Sequence, residues 1–445
     1  MRKSLIIATV FFVLFALLSP IVQGSEPLFV QECGVVDKGE SVPDEIIVGF
    51  REGVDVAKAT KKVESILGTM IARKGIKNFV VFKIPPHIIN AVNRLLLQDP
   101  DIEYVEPNYI AYAFDLPNDL YFSPYQWNLY DYGMKSNGYA SNYGVQAVSA
   151  WKTTTGGGVK VAVVDTGVAY EDYSDSLGTY ARAPDLAQTN FDTQDAYDFV
   201  NNDAHPNDDN GHGTHVTGTI AQSTNNSLGC AGIAYGATIL PIKVLNASGS
   251  GTYDAIANGI MWAADHGARV INMSLGGKTG STTLSNAIKY AYGKGVVIVC
   301  ASGNDGRPSV SYPAAYTECI AVGSTRFDGN RVRYSNYGSA LDLVAPGGDM
   351  SVDQNKDGYK DGILQQTFAS GKPTSFGWYF FQGTSMASPH VAGVAALVLS
   401  MHSTFTNEQV RQALQSTAKD LGTAGWDKYY GYGLVNAALA ITYNP

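Results

Sequence analysis

The chain has 445 residues, a formal net charge of −9 and four cysteines. This length allows two or three domains with a large core, and four cysteines are too few for a fold built on disulfides. Between residues 165 and 210, eleven Asp or Glu residues accompany one basic residue, Arg182. Such an acidic stretch argues against nucleic acid as a natural partner and favours hard cations such as Ca²⁺.

The first 24 residues have the pattern of a secretory signal peptide. Arg2 and Lys3 precede an apolar run over residues 5–18, and the segment ends on small residues at Gly24. An apolar run of this length is too short to span a bilayer comfortably. We therefore predict that residues 1–24 are removed, that no later segment is long and apolar enough to span a membrane, and that the mature protein is secreted.

Residues 43–114 differ in composition from the rest of the chain, with more Lys and less Gly. Their pattern is β-α-β-β-α-β. Strands are predicted at 46–50, 79–84 and 102–106, and helices at 56–67 and 87–98. These elements predict a small α+β, ferredoxin-like domain with both helices on one face of its sheet. An unrelated binding module is the alternative interpretation.

From about residue 151 the pattern changes to alternating strands and helices. Apolar strands are predicted at 159–164, 237–244, 270–273, 296–300 and 320–322, and helices at 254–266, 281–294, 388–400 and 407–416. Strands that are apolar on both faces indicate a parallel sheet covered by helices on both sides, so residues 115–445 are predicted to be α/β. Cys300 and Cys319 lie on two predicted neighbouring strands, where a disulfide and a pair of buried free thiols remain alternatives.

Three motifs, far apart in the chain, each hold one member of an Asp-His-Ser set. They are VAVVDTG at 161–167, GHGTHV at 211–216 and GTSMASPH at 383–390. A serine hydroxyl is a weak nucleophile at neutral pH and needs an imidazole to take its proton. The imidazole needs a carboxylate to fix its tautomer and stabilise its charged form. The motifs therefore predict a triad of Asp165, His212 and Ser385.

Other histidines and serines compete for these roles. His215 is one turn from His212 and is predicted to face the interior, and His390 and His402 are interpreted as packed or surface residues. Ser388 shares the serine motif with Ser385. We favour Ser385 because it follows a Gly-Thr turn ahead of a proline, which we place in the first turn of the following helix.

The three motifs, in this order, resemble those of the subtilisin-like (subtilase) serine peptidase family from about residue 151 to the C-terminus. The resemblance implies a subtilisin-like fold and an endopeptidase that cleaves proteins and peptides through an acyl-enzyme. The segment SGNDG at 302–306 is similar to the oxyanion segment of the family. This similarity implies that Asn304 and the Ser385 N–H stabilise the oxyanion.

The resemblance also implies where substrate lies. Two segments resemble the extended stretches that flank the peptide: Gly249, Ser250 and Gly251, and Ser274, Leu275, Gly276 and Gly277. A peptide held as an added strand suits broad specificity. The implied S1 pocket has apolar walls, with Ser311 and Asp305 near positions that tune it, so large apolar or aromatic P1 residues are expected. A restricted processing protease and a non-catalytic binding protein with this fold are the alternatives.

Residues 45–113 resemble the inhibitor-type propeptide that precedes many subtilases, most clearly in YVEPNYIAYAF at 104–114. The resemblance implies that this tail occupies the active-site cleft and that the enzyme cuts its own chain between Phe114 and Asp115. The propeptide is then the enzyme's own chaperone and inhibitor, and we expect the mature enzyme to be a monomer. Because 115–150 is longer than a short mature N-terminus, a later cut remains an alternative.

Residues 353–361 have Asp or Asn at alternate positions and Gly sixth, as in an EF-hand loop. The predicted ligands of a structural Ca²⁺ are Asp353, Asn355, Asp357, Tyr359 and Asp361. The twelfth position is Leu364 rather than Glu, so we predict a variant, free-standing site. A plain acidic turn is the alternative.

Two further calcium sites are implied by the resemblance. The first comprises Asp185, Asn226 and the carbonyl groups of Thr224, Leu228 and Cys230. The second resembles an extra site of thermitase-like members and comprises Asp198, Asn201, Asp203 and Asn207. For each set, a solvated polar loop is the alternative.

Overall fold

The structure is a computed structural model that describes residues 41–67, 71–74, 78–85, 88–109, 116–130, 141–369 and 371–445. The predicted signal peptide and the predicted cleavage site at Phe114 and Asp115 lie outside these residues. The chain has two parts, each with its own main sheet.

The first part is an antiparallel sheet with two helices. Its elements are β1 (Ser41–Phe50), α1 (Val56–Leu67), β2 (Ile71–Lys74), β3 (Phe79–Lys83), α2 (Ile89–Leu96) and β4 (Ile102–Tyr109). The strand order is β2-β3-β1-β4. Alternate residues of β1, such as Ile46 and Val48, pack against Val63 and Leu96 of the helices. The predicted β-α-β-β-α-β order is confirmed, and the residues of the short strand β2 are a new finding.

The second part has twelve strands among its described residues, and eight of them form one sheet. Its strands are β5 (Lys160–Asp165), β6 (Tyr173–Ser174), β7 (Thr179–Tyr180), β8 (Asn190–Phe191), β9 (Tyr197–Asp198), β10 (Thr238–Lys243), β11 (Val270–Met273), β12 (Val297–Ala301), β13 (Cys319–Thr325), β14 (Leu343–Pro346), β15 (Ile363–Phe368) and β16 (Phe376–Phe381). Its helices are α3 (Phe122–Tyr125), α4 (Ala147–Trp151), α5 (His212–Ala221), α6 (Tyr253–Asp265), α7 (Thr282–Gly293), α8 (Thr384–Met401), α9 (Asn407–Ser416) and α10 (Ala437–Ala440).

The eight-stranded sheet has the order β14-β13-β12-β11-β5-β10-β8, with β9 also paired to β10, and these pairs are parallel. Its strands are buried on both faces. Val161 and Val163 of β5 belong to the core that contains α5 and α8, whereas Ala162 and Val164 belong to the core that contains α6 and α7. The predicted parallel sheet with helices on both faces is therefore confirmed.

By its length and composition, helix α8 could cross a membrane. It is the one helix among the described residues that passes this test. The prediction that no later segment passes this test is therefore wrong. However, 83% of the helix is buried inside the protein. Its apolar composition follows from its position in the core, between α5 and strands β11–β14.

The start of α8 also differs from the prediction. The helix begins at Thr384 rather than at residue 388, so Ser385 lies in its first turn and Pro389 in its second. A proline has no N–H to donate to the carbonyl oxygen four residues earlier, here that of Ser385. The side-chain hydroxyl of Ser274 donates to that oxygen instead, at 2.8 Å. This replacement explains how the helix accommodates the proline.

The structure favours the free-thiol alternative for Cys300 and Cys319. Both are buried free cysteines, as is Cys230. In the β12–β13 register Cys319 faces Ile298 and Cys300 faces Ala321, so their backbone positions are offset by two residues, and the two thiols are in hydrogen-bond contact. Burial raises the pKa of the Cys319 thiol, which disfavours its reactive thiolate form.

Candidate active site

The aspartate and histidine motifs meet where β5 ends and α5 begins. His212 Nδ1 lies 2.7 Å from Asp165 Oδ1. The carboxylate is fully buried, whereas the imidazole is 21% exposed. The Thr166 N–H also donates to Asp165 Oδ1, at 2.8 Å. This pair orients the ring so that Nδ1 faces the carboxylate and Nε2 remains available on the other side.

A second buried carboxylate supports this pair. Asp208 accepts hydrogen bonds from the hydroxyl of Thr166, at 2.9 Å, and from the Gly211 N–H, at 2.9 Å, so it joins the two motifs. Burial lowers the pKa of His212, but the charge and hydrogen bond of Asp165, together with the charge of Asp208, raise it more. The net result is a pKa above the ordinary value for histidine. Sequence reasoning missed Asp208 because it was one of many acidic residues in this stretch.

Ser385 lies at the start of α8, which packs against α5. Its Oγ donates to the carbonyl oxygen of Ser274, at 3.2 Å. The structure contains no hydrogen bond between the described side chains of Ser385 and His212. Such bonds in enzymes without substrate are often long or poorly aligned, and they tighten when substrate binds.

Asn304 is held next to the serine. Its Oδ1 accepts from both the N–H and the hydroxyl of Thr384, each at 2.9 Å. A Cβ built at Gly383 would lie 3.5 Å from Asn304 Nδ2 and 3.6 Å from the Ser385 nitrogen. As the second residue of α8, Ser385 has an N–H without an acceptor inside the helix. The Asn304 side-chain amide and the Ser385 N–H therefore flank the same space beside Gly383.

The competing residues are engaged elsewhere. His215 is buried, and its Nε2 lies 3.1 Å from the carbonyl oxygens of Ile363 and Tyr379. Burial lowers the pKa of His215 to about 3, so the ring is neutral. Ser388 is buried, and its Oγ lies 2.9 Å from Ser274 Oγ. The prediction that His215 faces the interior is confirmed.

His390 and His402 are packed, as predicted. His390 is buried, with Nδ1 donating to the Met386 carbonyl oxygen at 2.8 Å. Burial lowers the pKa of His390 to about 4. The His402 ring stacks on Phe405, and its Nε2 lies 2.9 Å from the Ile441 carbonyl oxygen.

The two predicted substrate segments contain exposed glycines. Gly249 and Gly276 are exposed, and Gly249 has φ +72°, a conformation that favours glycine. Gly277 forms an antiparallel bridge with Tyr312, with N–H to oxygen distances of 2.8 and 2.9 Å. This bridge places the second segment against the residue that follows Ser311.

Ser311 is tied to an arginine that the sequence did not single out. Its Oγ accepts from Arg307 Nη2, at 3.2 Å, and from Asn336 Nδ2, at 3.3 Å. Arg307 Nε also lies 3.3 Å from Asp305 Oδ2. The negative charge of Asp305 is therefore balanced by its neighbour. A single arginine in a loop gives no sequence signal of such a contact.

The first set of predicted calcium ligands surrounds a buried carboxylate. Asp185 Oδ1 accepts from Asn226 Nδ2, at 2.8 Å, and its Oδ2 accepts from the Cys230 N–H, at 2.9 Å. Burial raises the pKa of Asp185 to about 7. Asp119 adjoins the same loop and accepts from the Asn225 N–H, but its Oδ1 is buried and makes no hydrogen bond to the described residues. Asp119 was missed because its segment has no recognisable pattern.

The second set lies on a tight turn. Asp198 is buried and accepts from the side chain of Asn201, at 2.9 Å, and Asp198 and Asp203 form an antiparallel bridge. Burial raises the pKa of Asp198. Asn207 Oδ1 is buried and makes no hydrogen bond within the described residues. These residues offer hard oxygen ligands to a cation.

The third set, at 353–361, brings carboxylates together. The Oδ1 atoms of Asp353 and Asp361 are buried and make no hydrogen bond within the part of the chain described here. Burial, together with the charges of Asp357 and Asp353, raises the pKa of Asp361 to about 7. Asn355 is also buried. The described residues contain no metal-like cluster of three or more His, Cys, Asp or Glu, so amide and carbonyl oxygens would have to complete each site.

Comparison with known proteins identifies two families along this chain. The sequence pattern of the subtilase family matches residues 156–433. The sequence pattern of the fervidolysin N-terminal prodomain family matches residues 31–108. The second match covers β1–β4 and α1–α2, so it supports the reading of this part as a propeptide.

Similar proteins cover most of the chain. The thermophilic serine proteinase of Bacillus sp. (strain AK1) is 38% identical over 410 residues, which is 92% of this chain and 89% of that protein. Thermitase of Thermoactinomyces vulgaris is 42% identical, over 74% of this chain and 99% of that protein. A solved structure of a protease from Pseudoalteromonas arctica PAMC 21717 superposes with a TM-score of 0.62, at 34% identity, over 73% of this chain and 98% of that chain.

Proposed function

The chain belongs to the subtilase family of serine peptidases and carries an N-terminal prodomain, and on this premise we propose that it is a secreted, calcium-stabilised endopeptidase made as a self-processing zymogen. The observation that carries the proposal is the 2.7 Å contact between His212 Nδ1 and Asp165 Oδ1, at the start of a helix that packs against the helix of Ser385. This contact leaves Nε2 free to act as a base.

The proposed reaction begins with proton transfer from Ser385 Oγ to His212 Nε2 as the serine attacks the peptide carbonyl carbon. Asp165 holds the Nδ1–H and stabilises the imidazolium that forms. His212 then donates the proton to the leaving amine, which gives an acyl-enzyme on Ser385. Water repeats the sequence, with His212 again as base, and releases the acid product.

Asn304 and the backbone of Ser385 would stabilise the transition state. The carbonyl oxygen of the substrate becomes negative when Ser385 attacks it, and fixed donors lower the energy of that charge by a few kcal/mol. The side-chain oxygen of Asn304 accepts hydrogen bonds from Thr384. Its Nδ2 group is therefore the one that would donate to the oxyanion.

We expect broad specificity with a preference for large apolar or aromatic P1 residues. The glycine-containing segments at 249–251 and 274–277 leave room for a peptide backbone, which binds without regard to sequence. The Asp305–Arg307 contact supports this expectation, since it pairs the acidic side chain of Asp305 with a cation. It speaks against the alternative of a processing protease restricted to basic P1 residues.

Secretion and self-processing complete the proposal. Residues 1–24 would act as the signal peptide, and residues 43–114 as chaperone and inhibitor, released by a cut between Phe114 and Asp115. An aromatic residue before this bond agrees with an apolar S1 pocket. The mature enzyme, residues 115–445, is proposed to be a monomer.

Calcium is proposed as a structural cofactor at three loops. Asp119 joins the predicted ligands Asp185 and Asn226, because it adds an unpartnered buried oxygen to their loop. The second and third loops would use the residues of 198–207 and 353–361. Bound Ca²⁺ would neutralise buried carboxylates in these loops and so stabilise their folded form.

The test is hydrolysis of casein by the purified full-length product and by its Ser385→Ala variant. We expect casein fragments from the wild type and no fragments above background from the variant. A folded, prodomain-free wild type that leaves casein intact would contradict the proposal. Expression of Ser388→Ala in parallel controls for the neighbouring serine, and this variant is expected to remain active.

A further inference from the structure

A two-stranded hairpin stands directly before the helix of the proposed nucleophile. Strands β15 and β16 pair antiparallel, with Ile363 opposite Phe381. Only three residues separate Phe381 from Ser385 in the sequence. Any element that fixes β16 therefore also restricts where Ser385 can lie.

The hairpin contacts α5 on the N-terminal side of His212. The hydroxyl of Thr367 donates to the carbonyl oxygen of Gly211, the residue before His212. Gly211 has φ +100°, and a Cβ there would lie 2.7 Å from the Phe368 carbonyl oxygen. The two backbones can approach this closely because Gly211 has no side chain.

The hairpin contacts α5 again on the C-terminal side of His212, through His215. Its Nε2 lies 3.1 Å from the carbonyl oxygen of Ile363 in β15 and 3.1 Å from that of Tyr379 in β16. The ring also stacks on Phe381, with centroids 4.3 Å apart and an interplanar angle of 5°. Both partners of Nε2 are acceptors, so Nε2 carries the proton and donates to both strands.

We propose that His215 is a positioning residue that sets the separation between His212 and Ser385. His215 and His212 share one turn of α5, and His215 is bonded to the strand that continues into Ser385. Loss of the Nε2 donor would remove the hydrogen bonds that join both hairpin strands to α5 and free β16 to shift. A displacement of about 1 Å between catalytic groups is enough to reduce turnover by ~100-fold. The inference rests on the proposed function of His212 and Ser385.

Two substitutions of His215 distinguish the contribution of its hydrogen-bond donor from that of its stacked ring. His215→Phe keeps a stacked ring but has no donor, whereas His215→Gln has an amide nitrogen the same number of bonds from Cα as Nε2. His402→Phe is the matched control, because His402 also stacks on a phenylalanine and donates to a carbonyl oxygen, but at the far end of α8. All three are made in the full-length chain and compared as processed enzyme.

The measurements are kcat and KM on a peptide p-nitroanilide with Phe at P1, per titrated active site, and the rate at which a fluorophosphonate labels Ser385. For His215→Phe we expect kcat and the labelling rate to fall by ~10-fold or more with KM within ~2-fold, because only the reacting groups are displaced. His215→Gln is expected to retain kcat within ~3-fold, and His402→Phe to match the wild type.

Equal kcat and labelling rates for His215→Phe and an active wild type would overturn the inference alone. An inert wild type would overturn the proposed function as well. A loss in His215→Gln as large as that in His215→Phe would also overturn it, since the donor would then not be the link. If His215→Phe does not fold, His215→Asn replaces it, with an amide one bond too short to reach both oxygens and the same expected loss.

Discussion

The backbone of Ser385 is fixed by a neighbouring hydroxyl rather than by its own helix. Pro389 cannot donate to the Ser385 carbonyl oxygen, and Ser274 Oγ donates to it at 2.8 Å. Ser274 in turn offers its own carbonyl oxygen to Ser385 Oγ, at 3.2 Å. The proline therefore couples the serine to the 274–277 segment. In the proposed enzyme this coupling holds the nucleophile beside the bound peptide.

The first prediction concerns Asn304, the proposed side-chain donor to the oxyanion. Asn304→Ala should lower kcat by ~10²–10³-fold with little change in KM, because the lost hydrogen bond forms only in the transition state. Steady-state kinetics per titrated active site measure both constants. Asn190→Ala, which removes an exposed amide, is the control. A kcat equal to that of the wild type would remove this role from Asn304.

The second prediction concerns the pH dependence of activity. As the proposed base, His212 accepts a proton only when neutral, so we expect the acid limb of kcat/KM to follow its pKa. The charges of Asp165 and Asp208 raise that pKa above the ordinary histidine value. Asp208→Asn removes one of these charges, so the midpoint of the acid limb should move to lower pH. A midpoint that stays in place or rises would show that Asp208 does not act on His212 through its charge.

The raised pKa of His212 also affects stability. This contribution to stability falls as pH rises, whereas activity is expected to rise. A histidine whose folded pKa exceeds its unfolded pKa stabilises the fold fully below the unfolded value. This stabilisation is lost as pH rises through the folded pKa of His212. Activity thus increases over the pH range in which this contribution to the free energy of unfolding disappears.

At the scale of elements, the acidic loop 353–361 and the hairpin that follows it behave as one unit. Asp361 is followed, after Gly362, by β15, whose Ile363 carbonyl oxygen is bonded to His215. Tyr359 of the loop stacks with Phe380 of β16, with centroids 5.9 Å apart. Order in the loop is therefore transmitted to the strands that contact α5.

The third prediction is that calcium stabilises this loop and the other two. Removal of Ca²⁺ by a chelator should lower Tm and speed autolysis, and a ligand at ~1,000 times its Kd contributes about 4 kcal/mol. Asp361→Asn should reduce by one the number of Ca²⁺ ions bound, measured by titration calorimetry. Asp254→Asn, an exposed carboxylate on α6, serves as control. A Tm and an autolysis rate that are indifferent to chelator would remove all three sites.

At the scale of the whole molecule, the prodomain and the peptidase domain are proposed to depend on each other during maturation. The fourth prediction is that the Ser385→Ala chain loses its signal peptide but retains the prodomain, because the cut after Phe114 needs the enzyme's own nucleophile. Mass spectrometry of the secreted products measures whether each chain still carries the prodomain. Normal processing of Ser385→Ala would show that another protease makes the cut.

Much of the architecture was predictable because its signals are local. The strand 270–273 and the helix 407–416 have the predicted bounds, since continuous apolar runs and capping residues determine them. Strand β2 was part of the predicted order but was not located, because its four residues carry no clear alternation. The start of α8 was misplaced because the proline was read as a first-turn residue.

Contacts across the chain were not predictable from local patterns. The Asp165–His212 pair followed from motifs, because the two residue types have a joint chemical role. The Arg307–Ser311 hydrogen bond and the unpartnered oxygen of Asp119 depend on how loops pack, which spacing alone does not encode. His215 was correctly expected to be buried, but its bonds to both hairpin strands appear only once the fold is known.

The most direct test of the proposed catalytic site is the covalent labelling of Ser385 by a fluorophosphonate after the prodomain has been removed. We predict one label per molecule, located by peptide mass spectrometry on Ser385, with loss of all peptidase activity. We also predict that His212→Ala prevents labelling at the same reagent concentration. An unlabelled Ser385 in the folded enzyme, or a label on Ser388 instead, would contradict the proposed nucleophile.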